Sequence, residues 1–490
     1  MGADTERSLL SRFRIEFSSQ LISLAATGLL TVILARLLSP GDYGLFYLAL
    51  AIFAFLSLFS NLGIPRSAAT YVAEYSVADP GQVPHIVRRS WYYLCVACGL
   101  TALVLVLGHE YLATALESPD LAPLLVLGAL FVIGTTVLGF LRGVLQGFER
   151  IHQCAVLSIV SAGIKLVCAT ALVLMGFGVI GALVGYIVAY AITAILGAVM
   201  LYRVVSSFDP APTVEDGLYS RLLRYNVPIA FTKGSDVLDK QVDTILVGLF
   251  LTPVAVGYYA VSKQVVQFVQ APAAALGFTV SPAFGKQKAG NALEDAARTY
   301  ESAVVYLLLF YVPAAAGIVL VAEPFITYTF GSDYLGAVPL LQILSIFIVL
   351  QALNQVTSNG LDFLGRARIR AVAKGVTAVA NAALNVALIP TLGVEGAAIA
   401  TVLTYSLYAG INVVVIAAEF PLRIGYLSRQ LCTIGLITGV MSLLVYSLLE
   451  YIVDPVTFVA IVGLGGAVWL VLSALAGLVE VGDLRAAISA

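Results

Sequence analysis

Apolar residues in this chain come in runs of about twenty, long enough to cross a hydrocarbon layer as helices, and the polar positions gather between the runs. The pattern predicts about fourteen spans, the first six near 16–38, 43–64, 88–109, 121–142, 152–175 and 179–202. The next six fall near 225–249, 255–281, 299–321, 337–360, 370–390 and 395–418, and two more near 428–449 and 456–478. The longest polar interruption, with Pro210, Pro212, Glu215 and Asp216, separates the first six from the second six. The expected architecture is an all-α polytopic membrane protein. It has a six-helix lobe over 1–204, a cytoplasmic linker over 205–220, a second six-helix lobe over 221–420, and a two-helix hairpin with its tail over 421–490. The first apolar run continues straight into a loop without a small-residue cleavage site, which reads as a retained helix and not as a signal peptide.

An internal repeat follows the same division. Leu38-Ser39-Pro40 with Gly44-Leu45-Phe46 is echoed by Leu251-Thr252-Pro253 with Gly257-Tyr258-Tyr259. Leu62-Gly63 recurs as Leu276-Gly277, Gly147 as Gly365, and Gly178-Val179-Ile180-Gly181-Ala182 as Gly393-Val394-Glu395-Gly396-Ala397. Each half holds an even number of spans, so the halves share one orientation, related by an axis along the membrane normal as in one class of secondary transporters. Gly139, Gly143 and Gly147 recur at four-residue spacing, which predicts close helix packing in lipid.

Composition supports lipid as the solvent: 60% of residues are hydrophobic and 11% charged, against about 25% charged in a soluble protein. Charge then sets orientation. Arg7, Arg12, Arg14, Arg88, Arg89, Arg142, Arg150 and Arg203 begin a basic series that occupies alternate span ends through to Arg423, Arg429 and Arg485. The intervening loops carry acids such as Asp42, Glu117, Asp120, Glu323 and Asp454. Lys and Arg concentrate on the cytoplasmic side, so both termini are expected in the cytoplasm of a plasma-membrane protein. The net charge of −2, with its cations dispersed among short loops, excludes nucleic acid as a partner. The five cysteines show no framework spacing, the three histidines no metal-ligand spacing, and no phosphate-binding loop is present. No enzyme and no cofactor is expected.

The cations that escape the loop pattern carry the candidate chemistry. In the seventh span Lys233, Asp236, Lys240 and Asp243 fall within about 80° of arc, with Asp239 about 40° beyond. Charges at bilayer depth are costly, so this stripe predicts a hydrated lining, with intrahelical ion pairing as the bland alternative. Lys263, Gln267 and Gln270 share a face of the eighth span, Gln351, Asn354, Gln355 and Ser358 one of the tenth, and Lys374, Thr377, Asn381 and Asn385 one of the eleventh. Arg66 closes the second span and Lys165 lies inside the fifth. Together they suggest cationic and amide walls of a cavity suited to a bulky, hydroxyl-rich anion.

The run Ala35-Arg36-Leu37-Leu38-Ser39-Pro40-Gly41-Asp42-Tyr43-Gly44-Leu45-Phe46 resembles the N-terminal signature of Wzx-type polysaccharide exporters, of the multidrug, oligosaccharidyl-lipid and polysaccharide transporter superfamily. Val242–Gly248, Leu145-Gln146-Gly147 and Gly393–Ala397 are similar to that family as well. The resemblance implies a flippase for a polyprenyl-phosphate or diphosphate oligosaccharide, working by alternating access. It implies Arg66 and Lys263 as first headgroup ligands and a tail groove on the last two spans, while the stripes above offer Lys165, Lys233, Lys240, Gln267, Gln355 and Asn381 as cavity-wall candidates. It also implies membrane lipid and the pathway's glycosyltransferases or polymerase as partners. A cation-coupled drug exporter would use Asp236, Asp239 or Asp243 to bind H+ or Na+. A non-transporting scaffold for glycan assembly would leave the charged stripes without a purpose.

Overall fold

The computed structural model describes residues 3–289 and 293–478, and the side chains of those outside 3–17, 227–228, 231–233, 235–236, 272–289 and 363. The side chains of Arg7, Arg12, Arg14, Lys233 and Asp236, and Arg485 as a whole, therefore lie outside the described residues. The described chain forms fifteen α-helices, and eleven stretches are long and apolar enough to cross a membrane. The all-α polytopic expectation holds. Contacts divide the chain into two units, Met1–Gly257 and Tyr258–Ala490.

The first unit holds α1 (Ala3–Leu37), α2 (Pro40–Asn61), α3 (Ile64–Ala78), α4 (Val83–Ala115), α5 (Leu121–Gly147), α6 (Ile151–Leu172), α7 (Gly178–Val205) and α8 (Leu218–Phe250). Its helix starts are written in the sequence. The Ser39 side chain accepts the Asp42 N–H at 3.1 Å, and Pro40 stands in the first turn, where its missing N–H costs nothing. Leu62 and Gly63 both take left-handed backbone and break α2 from α3. α5 packs against α2, α3, α4 and α7. A Cβ on Gly143 would lie 2.9 Å from the Pro65 carbonyl oxygen, and one on Gly147 would lie 2.5 Å from that of Ala69, so these two glycines admit α3. Gly139 departs from the expectation, since a Cβ there would meet nothing within 4 Å. Four-residue steps drift about 40° around a helix, which turns Gly139 off the face that Gly147 presents.

The second unit holds most of α9 (Pro253–Ala289), then α10 (Leu293–Thr329), α11 (Val338–Phe363), α12 (Ala367–Leu392), α13 (Val394–Glu419), α14 (Ile424–Leu448) and α15 (Pro455–Leu475). α11 packs on α10 and α13, α12 on α13, and α14 on α10 and α15. The repeat is visible in its tightest turns: Gly178 (φ 52°, ψ −137°) and Gly393 (φ 64°, ψ −148°) share a conformation that only glycine adopts readily. In both cases the glycine three residues on, Gly181 or Gly396, is pressed against backbone of the preceding helix.

The polar stretch 206–217 is docked on the α3–α4 elbow. Ala211 donates to the Gly81 carbonyl (2.8 Å), Gln82 Nε2 to that of Thr213 (3.0 Å), and the Glu215 N–H to Gln82 Oε1 (3.2 Å). Glu215 in turn accepts from the Tyr75 hydroxyl and from Arg221, both at 2.5 Å. The Tyr75 hydroxyl first, and Arg221 second, hold this carboxyl below its ordinary value. A lowered carboxylate pKa stabilises docking above the ordinary value, and that contribution is lost as pH falls through the lowered one. Exchange of the Ala211 and Glu215 amides, corrected for intrinsic rate, is therefore expected to stay slow from neutral pH down to the ordinary carboxylate value of 4.5 and to rise only below it. A Glu215→Gln variant should show no such step.

Candidate functional site

In the first unit, Arg66 lies exposed in the opening turn of α3, directly after the Leu62–Gly63 break. Lys165 sits half-buried on α6 with Nζ 5.0 Å from the Tyr186 ring centroid, a cation held over an aromatic face. Tyr186 belongs to a ring cluster, edge-on to Phe46 at 5.3 Å and close to Phe131 and Tyr190. On α8, Lys240 is exposed, Asp239 half-buried and Asp243 only 3% exposed. All three keep polar or charged partners. The shared stripe is thus split between an open edge and a buried one, a distinction that angular position alone does not carry.

In the second unit, Lys263 Nζ lies 5.3 Å from the ring of Tyr259, one turn earlier on α9, and Gln267 is exposed. Gln355 on α11 is half-buried. Its neighbour Asn354 is buried and joins α11 to α13: its Nδ2 donates to the Tyr405 hydroxyl (3.2 Å), while its Oδ1 accepts Asn412 Nδ2 (2.7 Å) and Ser358 Oγ (3.2 Å). Asn381 donates to Thr404 Oγ1 (3.2 Å) and accepts from Asn385 (3.0 Å), tying α12 to α13. In hydrocarbon such bonds join helices. The structure uses Asn381 and Asn354 in this way, and leaves Gln267 and Gln355 more open to a ligand.

Two features carried little sequence signal. Glu301 on α10 is fully buried and accepts the Arg423 backbone N–H (2.6 Å), Nε (2.8 Å) and Nη2 (2.6 Å), clamping the entry of α14. That carboxylate raises the Arg423 pKa above its usual value. The second feature is a cavity of about 520 Å3 walled by α9, α10, α11, α14 and α15. Its wall includes Val269, Phe310, Gly317, Met441, Gly466 and Trp469, and the Trp469 indole N–H is the only polar side-chain group among its lining residues. A wall of that kind accepts a hydrocarbon and offers nothing to a sugar or a phosphate.

Comparison with known proteins decides the family. A family model described as polysaccharide biosynthesis protein matches residues 33–339. The chain belongs to the polysaccharide biosynthesis protein family. Among relatives of this family member, an uncharacterised membrane protein of Methanocaldococcus jannaschii, MJ1375, is 25% identical over 404 residues, covering 79% of this chain and 92% of the relative. The probable flippase AglR of Haloferax volcanii is 26% identical over 407 residues, covering 80% of each chain. In fold, this polysaccharide biosynthesis protein is similar to the lipid II flippase MurJ in an inward closed conformation, with a TM-score of 0.76 at 16% identity over 95% of this chain and 98% of that one. The resemblance to Wzx-type exporters is borne out, and the protein is a multi-pass, flippase-type polysaccharide transporter.

Proposed function

We propose that this transporter turns a polyprenyl-phosphate or diphosphate oligosaccharide from the cytoplasmic to the outer face of the plasma membrane, by opening to one face at a time. The observation that carries the reading is the apolar groove between α10 and the α14–α15 hairpin, which suits a lipid tail. Arg66 and Lys263 are the headgroup ligands in this reading, since a phosphate is recognised by charge-assisted bonds from cations. Lys165, Lys240, Gln267 and Gln355 serve as further polar contacts. Coupling to H+ or Na+ falls to the carboxylates of α8, Asp236, Asp239 or Asp243, of which Asp243 is buried in the helix bundle.

Deletion of the gene is expected to leave lipid-linked glycan on the cytoplasmic face, as read by mass analysis of each face, and the wild-type gene should clear it. Joint replacement Arg66→Ala and Lys263→Ala should cut that rescue by roughly ten- to a hundredfold, the scale of a lost bond to a charged group. Full rescue by the double variant would place the anion elsewhere.

A further inference from the structure

The groove has an aromatic pair at each end. Phe325 and Phe458 stand at one, with ring centroids 6.5 Å apart. Phe310 and Trp469 stand at the other, edge to face at 6.2 Å. Between them Gly317 and Gly466 leave the wall bare, since a Cβ on either would meet nothing within 4 Å. Phe310 and Phe325 are separated by about 22 Å along α10 at 1.5 Å per residue. That length and the volume of the cavity leave a slot with room for a hydrocarbon chain lying along α10 between the two aromatic pairs.

Trp469 is fixed at its end of the slot by the backbone. Pro313, inside α10, has no N–H, so the carbonyl of Leu309 four residues earlier loses its helical donor. An unpaired carbonyl is costly in hydrocarbon. The Trp469 indole Nε1 donates to that oxygen at 2.9 Å. α15 is thereby pinned to α10 at one of the two turns, set by Pro313 and Pro324, where a carbonyl of α10 loses its helical donor. We propose that Trp469 is the positioning residue that sets how far a prenyl chain enters the slot, held in place by the carbonyl that Pro313 orphans. This rests on the groove being the tail site. Past the Phe310–Trp469 pair a longer chain must turn out into the bilayer, so the slot reads only the few isoprene units next to the phosphate.

The test uses the full-length protein in liposomes and a series of prenyl phosphates of increasing length, each with a diazirine at its chain end. In the wild type, labelling of slot residues is expected to stop at the length that reaches Trp469, with longer probes labelling lipid. Trp469→Ala should let longer chains label protein beyond that point. Trp469→Phe, which keeps a ring and loses the donor, should lower slot labelling roughly three- to tenfold, the range for one interhelical bond in lipid. Pro313→Ala gives Leu309 its helical donor back, so in that background Trp469→Phe should cost nothing further. An equal loss in both backgrounds, or no change in depth for Trp469→Ala, overturns the assignment. The tail reading is tested separately by Gly317→Phe, which places a ring in the slot. Unchanged labelling there would remove the tail site itself, whereas blocked labelling beside silent Trp469 variants would remove only the role given to Trp469.

Discussion

Gly317→Phe is expected to abolish glycan export, with a loss of a hundredfold or more, while the protein remains folded and in the membrane. Gly317 lies on the groove wall in the middle of α10, and its Cβ would project into open space. A benzyl group there starts from a Cβ with nothing within 4 Å and projects into the path of a chain lying along α10. Helix propensity does not oppose the change, because glycine is the worse helix former by up to about 0.5 kcal/mol. The tail gains little hydrophobic energy from the groove, since the bilayer it leaves is equally apolar. What the groove supplies is registration of the tail with the headgroup, and misplacement by an ångström costs roughly a hundredfold when a step depends on alignment. Gly163→Phe on α6, another glycine with nothing within 4 Å of its Cβ, controls for bulk alone and should export normally. Export is read as glycan at the outer face, and folding as thermal unfolding in detergent. Normal export by a well-folded Gly317→Phe protein would mean that the tail travels elsewhere.

The helices were legible because lipid imposes a severe filter: a segment that crosses it must be apolar for about twenty residues and must satisfy its own backbone. Ser39-Pro40 and Asp454-Pro455 mark helix starts by capping chemistry that needs no tertiary partner; the Asp454 side chain accepts the Thr457 N–H at 2.7 Å. Gly178 and Gly393 carry the repeat because the same positive-φ turn demands the same residue twice. α3 escaped the sequence reading. Ile64–Ala78 is too short and too polar for a span, although Ile64, Ala68, Val72 and Tyr75 are buried along one face at helical spacing. The groove entered only through the resemblance, as an expectation for the last two spans, and its wall residues were not legible because a Phe or Gly facing a cavity, a neighbour helix or lipid looks the same in sequence. Among the lining residues Pro313 alone carries a signal of its own, since a proline inside a span leaves one carbonyl in need of a donor. Which indole or hydroxyl arrives is settled by folding. Likewise the α8 stripe predicted a shared face for Lys240 and Asp243, but the helices packed beside α8 decide that one is exposed and the other buried.

Gly44→Ala is expected to destabilise the fold by about 3 kcal/mol, the upper end of overpacking costs, although it adds a single methyl group. Gly44 is the glycine of the Leu38–Phe46 signature, in the second turn of α2. Within the first unit this turn lies against the opening turn of α9. A Cβ on Gly44 would collide with the Pro253 carbonyl oxygen and stand 2.6 Å from the Gly257 nitrogen, while one on Gly257 would collide with the carbonyl oxygen of Pro40. The contact is reciprocal between repeat-related positions, which explains why the sequence echo includes both glycines. All the obstructing atoms are backbone, and two of them belong to prolines whose rings fix φ, so no side-chain rotation relieves the clash. Gly41→Ala in the same signature is the control: its Cβ would meet only Val254 Cγ2 at 3.6 Å and Ser39 Oγ at 3.8 Å, ordinary contacts, and stability should change by less than about 0.5 kcal/mol. Thermal unfolding of the two variants side by side measures the difference. Equal stability would show that the first turns of α2 and α9 can part without cost, and the glycine of the signature would then need an explanation other than close packing.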